Sequence, residues 1–225
     1  MATNPKISIV GAGPGSPEYV IPIARRAVQD ADIVIGADRT LILFADDIKA
    51  EARKLTAKNM RETLKQAVEL VYAGKNVVIL STGDPGFSGL LKTFSKIVDT
   101  RNIDINVIPG ISSVQVCAAR LGIAWDNVEL FTFHEGAKAT EKERLAKSVT
   151  EDRTVMLLPD AKDFSPADVA KFLLNHGIDE NTQVFVCENL TLSNERIVEI
   201  TLKDASKADF GSLCVMAIVP EEAKA

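Results

Sequence analysis

Three glycine-bearing turns hold residues whose types and spacing could do chemistry: GAGPGS at 11–16, STGDPGFSG at 81–89 and PGISS at 109–113. The first follows an apolar run and invites a phosphate-binding reading, because a dinucleotide fingerprint asks for G-x-G-x-x-G between a strand and a helix. Gly11 and Gly13 match it, but Ser16 stands where the third glycine belongs. Pro14 has no N–H to offer a pyrophosphate. The acidic residue expected about 20 positions further on is also poorly matched, since Asp32 precedes the second apolar run and Asp38 lies beyond it. The motif is incomplete, and its glycines could equally serve only to turn the chain.

The elements that must position these turns alternate strand and helix. KISIVG (6–11), DIVIG (32–36), KNVVILSTGDPG (75–86) and INVIP (105–109) read as strands, the third running into its turn. EYVIPIARRAVQDA (18–31), RETLKQAVELVYAG (61–74) and a segment near 87–98 read as helices. That succession predicts right-handed crossovers and a mostly parallel sheet with helices on both faces. Ligands of such sheets sit beyond the carboxyl ends of the strands. The three turns fall there, which makes them candidates for one shared site.

Past Pro109 the pattern changes. A helix near 112–122 precedes VELFTFHEG (128–136), RTVMLLP (153–159), a helix at 165–175, TQVFVCENL (182–190), ERIVEI (195–200) and SLCVMAIVP (212–220). TLSN between two late strand runs predicts a hairpin and therefore a mixed sheet. The expected fold is α/β in two domains, residues 1–110 with a mostly parallel sheet and 111–225 with a mixed one.

Composition narrows the partners. A net charge of −5 gives no broad basic face for nucleic acid. No run approaches the roughly 18 to 20 apolar residues of a membrane span, and the amino terminus lacks the features of a secretory signal. A cytoplasmic protein is expected. Cys117, Cys187 and Cys214 are odd in number and far apart in sequence, so buried reduced thiols are expected, with no disulfide framework and no metal site.

Taken together, VGAGPGSPEYVIPIARRAVQDADIVIGADR (10–39), STGDPGFSG and VIPGISSVQVCAARLGIAWDNVELFTFHEG (107–136) resemble the tetrapyrrole methylase family. RTVMLLPD and CENL follow in the family's order, so the resemblance spans about the whole chain. It implies two α/β domains with S-adenosylmethionine held between them, commonly in a homodimer, and S-adenosylhomocysteine as product. Residues 108–136 point within the family to C5 methylation of the cobalt-precorrin-7 macrocycle in cobalamin biosynthesis. By motif, the implied cofactor contacts are Pro14, Thr82, Gly83, Asp84, Phe87, Ser112, Ser113, Leu158 and Leu190, and Gly13 and Ser16 would line the substrate. Ser16 stands where many members carry aspartate, and the second turn lacks the double glycine common in relatives. The fused C15-methylating decarboxylase domain of some relatives has no counterpart in these 225 residues, so that step is expected of a separate protein.

The physics of these positions is consistent with that assignment. Gly83 permits close backbone approach, and Asp84 can accept from an ammonium or a ribose hydroxyl, or else merely shape a turn. Ser112 and Ser113 fall at a helix start, where hydroxyls and N–H groups hold a carboxylate or simply cap the helix. Phe87 and the two leucines suit a core as well as a ligand wall. A sulfonium methyl is already activated, so alignment with a ring carbon is the main task and no metal or covalent nucleophile is needed. His134, one of two histidines, is the candidate for proton balance, with a structural role as its alternative. His176, at a helix end, reads as a cap. Arg39 could pair with a macrocycle carboxylate, with Asp38 orienting it or beginning a helix, whereas Arg25 and Arg26 read as a solvated helix face. A methylase of another ring position or of protein or RNA, an oxidoreductase, and a non-catalytic binding protein are the other readings.

Overall fold

The computed structural model describes residues 6–99, 101 and 103–220. The amino-terminal residues 1–5, on which the expectation of no secretory signal partly falls, lie outside the described residues. The chain divides into two compact units, Met1–Ser112 and Ser113–Ala225.

The first unit runs β1 (Ile7–Gly11), α1 (Pro22–Gln29), β2 (Ile33–Gly36), α2 (Asp38–Leu43), β3 (Glu51–Lys54), α3 (Met60–Tyr72), β4 (Val77–Ser81), α4 (Leu90–Ile97) and β5 (Ile105–Ile108). Its sheet has the order β3-β2-β4-β1-β5, and every pair is parallel. The strands β1, β2 and β4 are buried along their whole length, because both faces are covered. Ile7, Ile9, Ile35 and Ile79 pack with Leu64, Ala67 and Phe94 of α3 and α4. Their strand neighbours Val10, Val34 and Val78 pack with Ala24 and Val28 of α1 and with Phe44 just beyond α2. The helices after β1 and β4 therefore leave on opposite faces of adjacent strands, the arrangement that opens a crevice at the carboxyl ends.

Three details differ from the sequence expectation. Ile21 is extended (φ −73°, ψ 148°) because the ring of Pro22 disfavours helical backbone before it, so the helix expected from 18 begins at Pro22. Pro17–Tyr19 form only a single 3₁₀ turn, capped by the Ser16 side chain. Between β2 and α3 lie α2, which the sequence reading held only as one alternative for Asp38, and β3, which it did not contain. β3 is the charged edge segment EARK, and such charge protects an open sheet edge while hiding it from a hydrophobic pattern.

The second unit runs α5 (Ser113–Leu121), β6 (Glu129–Thr132), α6 (Ala139–Thr150), β7 (Val155–Leu158), α7 (Pro166–Asn175), β8 (Gln183–Glu188), β9 (Arg196–Thr201), α8 (Leu202–Ala205) and β10 (Cys214–Val219). The sheet order is β6-β7-β10-β8-β9, with β6 and β7 parallel and the remaining pairs antiparallel. The expected hairpin is β8–β9. α6, also absent from the sequence reading, buries only Leu145, Ala146, Ser148 and Val149 beneath a charged outer face. Because β7 and β8 are both antiparallel to β10, they point the same way as β6. The carboxyl ends of β6, β7 and β8 therefore share one edge.

α7 begins with a capping box. Ser165 Oγ donates to Asp168 Oδ2 at 2.6 Å, the Ser165 N–H reaches the same oxygen at 3.1 Å, and the Asp168 N–H donates to Ser165 Oγ at 3.3 Å. The Ser165 hydroxyl holds the Asp168 carboxyl below its usual range. A depressed folded pKa stabilises above the ordinary aspartate value, and the contribution is lost as pH falls through the folded value. Ser165→Ala should cost about 1 kcal/mol near neutral pH and less where Asp168 is protonated. Urea unfolding at both ends of that range tests this, and equal losses would exclude a part for the carboxylate.

Candidate active site

The three glycine turns of the first unit meet. The Ala12 N–H donates to Ser81 O at 2.8 Å, and Gly13 and Gly83 exchange a pair of backbone bonds at 3.3 and 2.8 Å. A Cβ on Gly11 would lie 2.4 Å from Gly110 N, and one on Gly110 would lie 2.3 Å from Gly83 O. Backbone rests on backbone at this crossing, which explains glycine at 11 and 110 without any ligand. Gly83 differs: it has φ +64°, and its missing Cβ faces nothing nearer than Ser112 Cα at 3.8 Å. The same bonds rule out the phosphate cradle. The N–H groups of Ala12 and Gly13 are engaged by carbonyls, and Pro14 has none.

Asp84 joins two of the turns. Its Oδ1 accepts the Gly86 N–H at 2.7 Å and its Oδ2 the Gly110 N–H at 3.0 Å. Its first task is thus to tie the second turn to the third. Pro14 and Ser112 are buried at this edge, while Thr82, Gly83, Phe87 and Ser113 are half-buried, with Ser113 the first residue of α5. Gly13 is buried and Ser16 half-buried in the first turn.

The basic residues are arranged otherwise than expected. Asp38 opens α2 with Ala37 in the cap position, and its carboxylate pairs with Lys54 at the end of β3 rather than with Arg39. Arg39 is exposed and forms no ion pair with a described residue. Lys54, which sequence reasoning missed, reaches the same edge only because β3 pairs with β2. Arg25 is not a solvated residue: Nη1 donates to the buried Asp47 at 2.6 Å and Nη2 to Pro17 O at 2.9 Å, which fixes the exit of the first turn. Arg26 is exposed, as expected.

In the second unit the named residues share the edge formed by the ends of β6, β7 and β8. Leu158 closes β7 and is buried, Leu190 lies just past β8 and is buried, and His134 lies two residues past β6 and is exposed. The Phe133 N–H donates to Leu158 O at 2.9 Å and extends the β6–β7 register toward His134. Sequence reasoning did not single out Asp160, two residues past β7. The N–H groups of Asp163 and Lys162 hold its carboxyl below the usual range, and His134 adds to this electrostatically. The signal was the register itself, since equal offsets past parallel strands place residues side by side.

His176 is the cap it was expected to be. Its Nδ1 lies 2.8 Å from Phe172 O, so that nitrogen carries the proton, and its Nε2 lies 3.5 Å from Glu143. Cys117, Cys187 and Cys214 are buried free thiols, although Cys117 and Cys187, far apart in sequence, meet at 3.5 Å. No group of three potential metal ligands occurs among the described residues. No helix among the described residues is long and apolar enough to cross a membrane.

The profile of the tetrapyrrole (corrin/porphyrin) methylases matches residues 6–206, and the chain belongs to that family. The chain is 40% identical over 218 residues to a probable cobalt-precorrin-7 C(5)-methyltransferase of Methanocaldococcus jannaschii, covering 96% of this chain and 99% of that one. The crystal structure of a precorrin-6Y methylase from Archaeoglobus fulgidus superposes with a TM-score of 0.73 at 26% identity, over 96% of this chain and 98% of the other. The cobalt precorrin-4 methyltransferase of cobalamin biosynthesis superposes with a TM-score of 0.80, also at 26% identity, over 95% of this chain and 94% of that one.

Gly110→Ala should destabilise the protein by on the order of 3 kcal/mol, because the added methyl meets backbone on two sides and nothing there is a flexible side-chain end. Chemical denaturation measures it. A loss under about 0.5 kcal/mol, the usual range for surface changes, would show that the crossing can open.

Proposed function

We propose that this chain transfers the methyl group of S-adenosylmethionine to C5 of the cobalt-precorrin-7 macrocycle. The observation that carries the reading is the 40% identity, over nearly the full length of both chains, to the probable C(5)-methyltransferase. The donor set fits the cofactor. The first unit offers a backbone-rich edge whose turns carry the hydroxyls of Thr82 and Ser112 and one carboxylate, Asp84, suited to the amino-acid part and the ribose hydroxyls of the cofactor. The second offers the apolar Leu158 and Leu190.

In this reading Pro14, Thr82, Gly83, Asp84, Phe87, Ser112, Ser113, Leu158 and Leu190 hold the cofactor, and Asp84 acts chiefly by fixing the loops that do so. The bound cofactor supplies a methyl group already activated by its sulfonium charge. The protein's residues orient it and exclude water, and orientation alone can be worth up to roughly 7 to 11 kcal/mol. Arg39 meets a ring carboxylate, joined by the Lys54–Asp38 pair at the same edge, while Gly13 and Ser16 face the macrocycle. His134 balances the proton lost from the ring as it rearranges, and the Asp160 carboxylate lies close enough to interact with it electrostatically. The protein works in the cytoplasm as a homodimer, and a separate enzyme performs C15 methylation and decarboxylation.

Incubation with cobalt-precorrin-7 and labelled donor should yield a product heavier by one methyl, placed at C5 by NMR. Methylation at C11 of cobalt-precorrin-4 instead would favour action at another ring position, the activity named for a relative 32% identical over 216 residues. His134→Ala should lower kcat/KM at least about tenfold, or ~1.4 kcal/mol of transition-state stabilisation. A change below about threefold would remove it from the chemistry.

A further inference from the structure

Just beyond β8 the backbone takes an uncommon path. Asn189 (φ 52°) and Thr191 (φ 71°) are both left-handed and flank Leu190. Asparagine tolerates that region, but a β-branched residue such as threonine does so only when its surroundings impose it. A carboxylate braced from a neighbouring helix imposes it here. The Thr191 N–H donates to Glu195 Oε2 at 2.6 Å, and Arg120 holds the same carboxylate from α5, Nε to Oε1 at 2.7 Å and Nη2 to Oε2 at 3.4 Å. The turn is also closed by Leu192 N–H to Asn189 O at 2.9 Å and Glu195 N–H to Leu192 O at 3.0 Å. Between the two left-handed residues, Leu190 is only 4% exposed.

We infer that Glu195, braced by Arg120, is a positioning residue that holds the Thr191 N–H in the left-handed turn and thereby sets the Leu190 wall of the cofactor site. The inference rests on the reading of Leu190 as a cofactor contact. The pair is separated from Leu190 by the backbone of Thr191, so Glu195 acts on the ligand only through the shape of the turn. Arg120 and the Thr191 N–H hold the Glu195 carboxyl below its usual range, so it stays charged through the neutral range.

Titration calorimetry with S-adenosylhomocysteine tests this on the full chain, at a temperature where circular dichroism shows each variant folded. Glu195→Ala should weaken binding at least fivefold and raise the KM for S-adenosylmethionine in proportion, with kcat changed less than twofold. Glu195→Gln keeps an oxygen for the Thr191 N–H and should recover binding to within about threefold. Arg120→Ala should weaken binding in the same direction, and the double variant should be no worse than Glu195→Ala, because the two act as a unit. Amide exchange at Thr191 should speed up in the same variants. Should Glu195→Ala fail to fold, Arg120→Ala and Glu195→Gln decide. Binding within twofold of wild type in the folded variants, with only a lower melting temperature, overturns the role. A wild-type chain that binds no S-adenosylhomocysteine overturns the cofactor reading itself, and the role of Glu195 falls with it.

Discussion

Everything at the carboxyl edge of the first unit depends on peptide groups lying directly against peptide groups. Gly11, Gly83 and Gly110 come from three turns separated by many residues, yet an added methyl at 11 or 110 would fall within 2.4 Å of another backbone atom. No side chain can occupy that space. What the edge can present to a ligand is therefore mostly backbone, with a few small hydroxyls around it. Such a surface is polar, and Asp84 is the one charged residue within the three turns. The Asp84 carboxylate adds to the crossing, since it takes one N–H from its own turn and one from the turn beyond β5.

The second unit solves a different problem by a different means. Its sheet is mixed, but the strands that carry His134, Leu158 and Leu190 toward their ends run in the same direction, so these residues gather on one edge. Side chains do the work there. Buried leucines end β7 and follow β8, and past the parallel β6–β7 pair stand a histidine and a carboxylate whose N–H partners keep it ionised. The turn that places Leu190 is held by an ion pair reaching from α5, so the helix and the loop after β8 are mechanically joined.

Much of this was legible in the chain itself. The buried strands announced themselves as continuous apolar runs, and the order of strand and helix implied the parallel sheet that the first unit has. The expectation that three glycine turns share one edge holds, for the reason that parallel strands present their exits together. Elements whose stability comes from context were not legible: EARK of β3 has no buried face to betray it, and α6 shows few apolar residues in a charged sequence. Helix α1 started later than its pattern implied because one proline, acting on its predecessor, outweighed the periodicity.

The sequence by itself determined the two α/β units, the strand exits that bear the glycine turns and the membership in a methylase family. These follow from local patterns of burial and from motifs read in order. Only the tertiary structure decided which groups meet: Asp38 with Lys54 instead of Arg39, Arg25 with Asp47, Asp84 with the Gly110 N–H, Asp160 beside His134, and Glu195 with both Arg120 and Thr191. Such pairings depend on strand order and register, which bring distant residues within a few ångströms, and that information belongs to no single stretch of the chain.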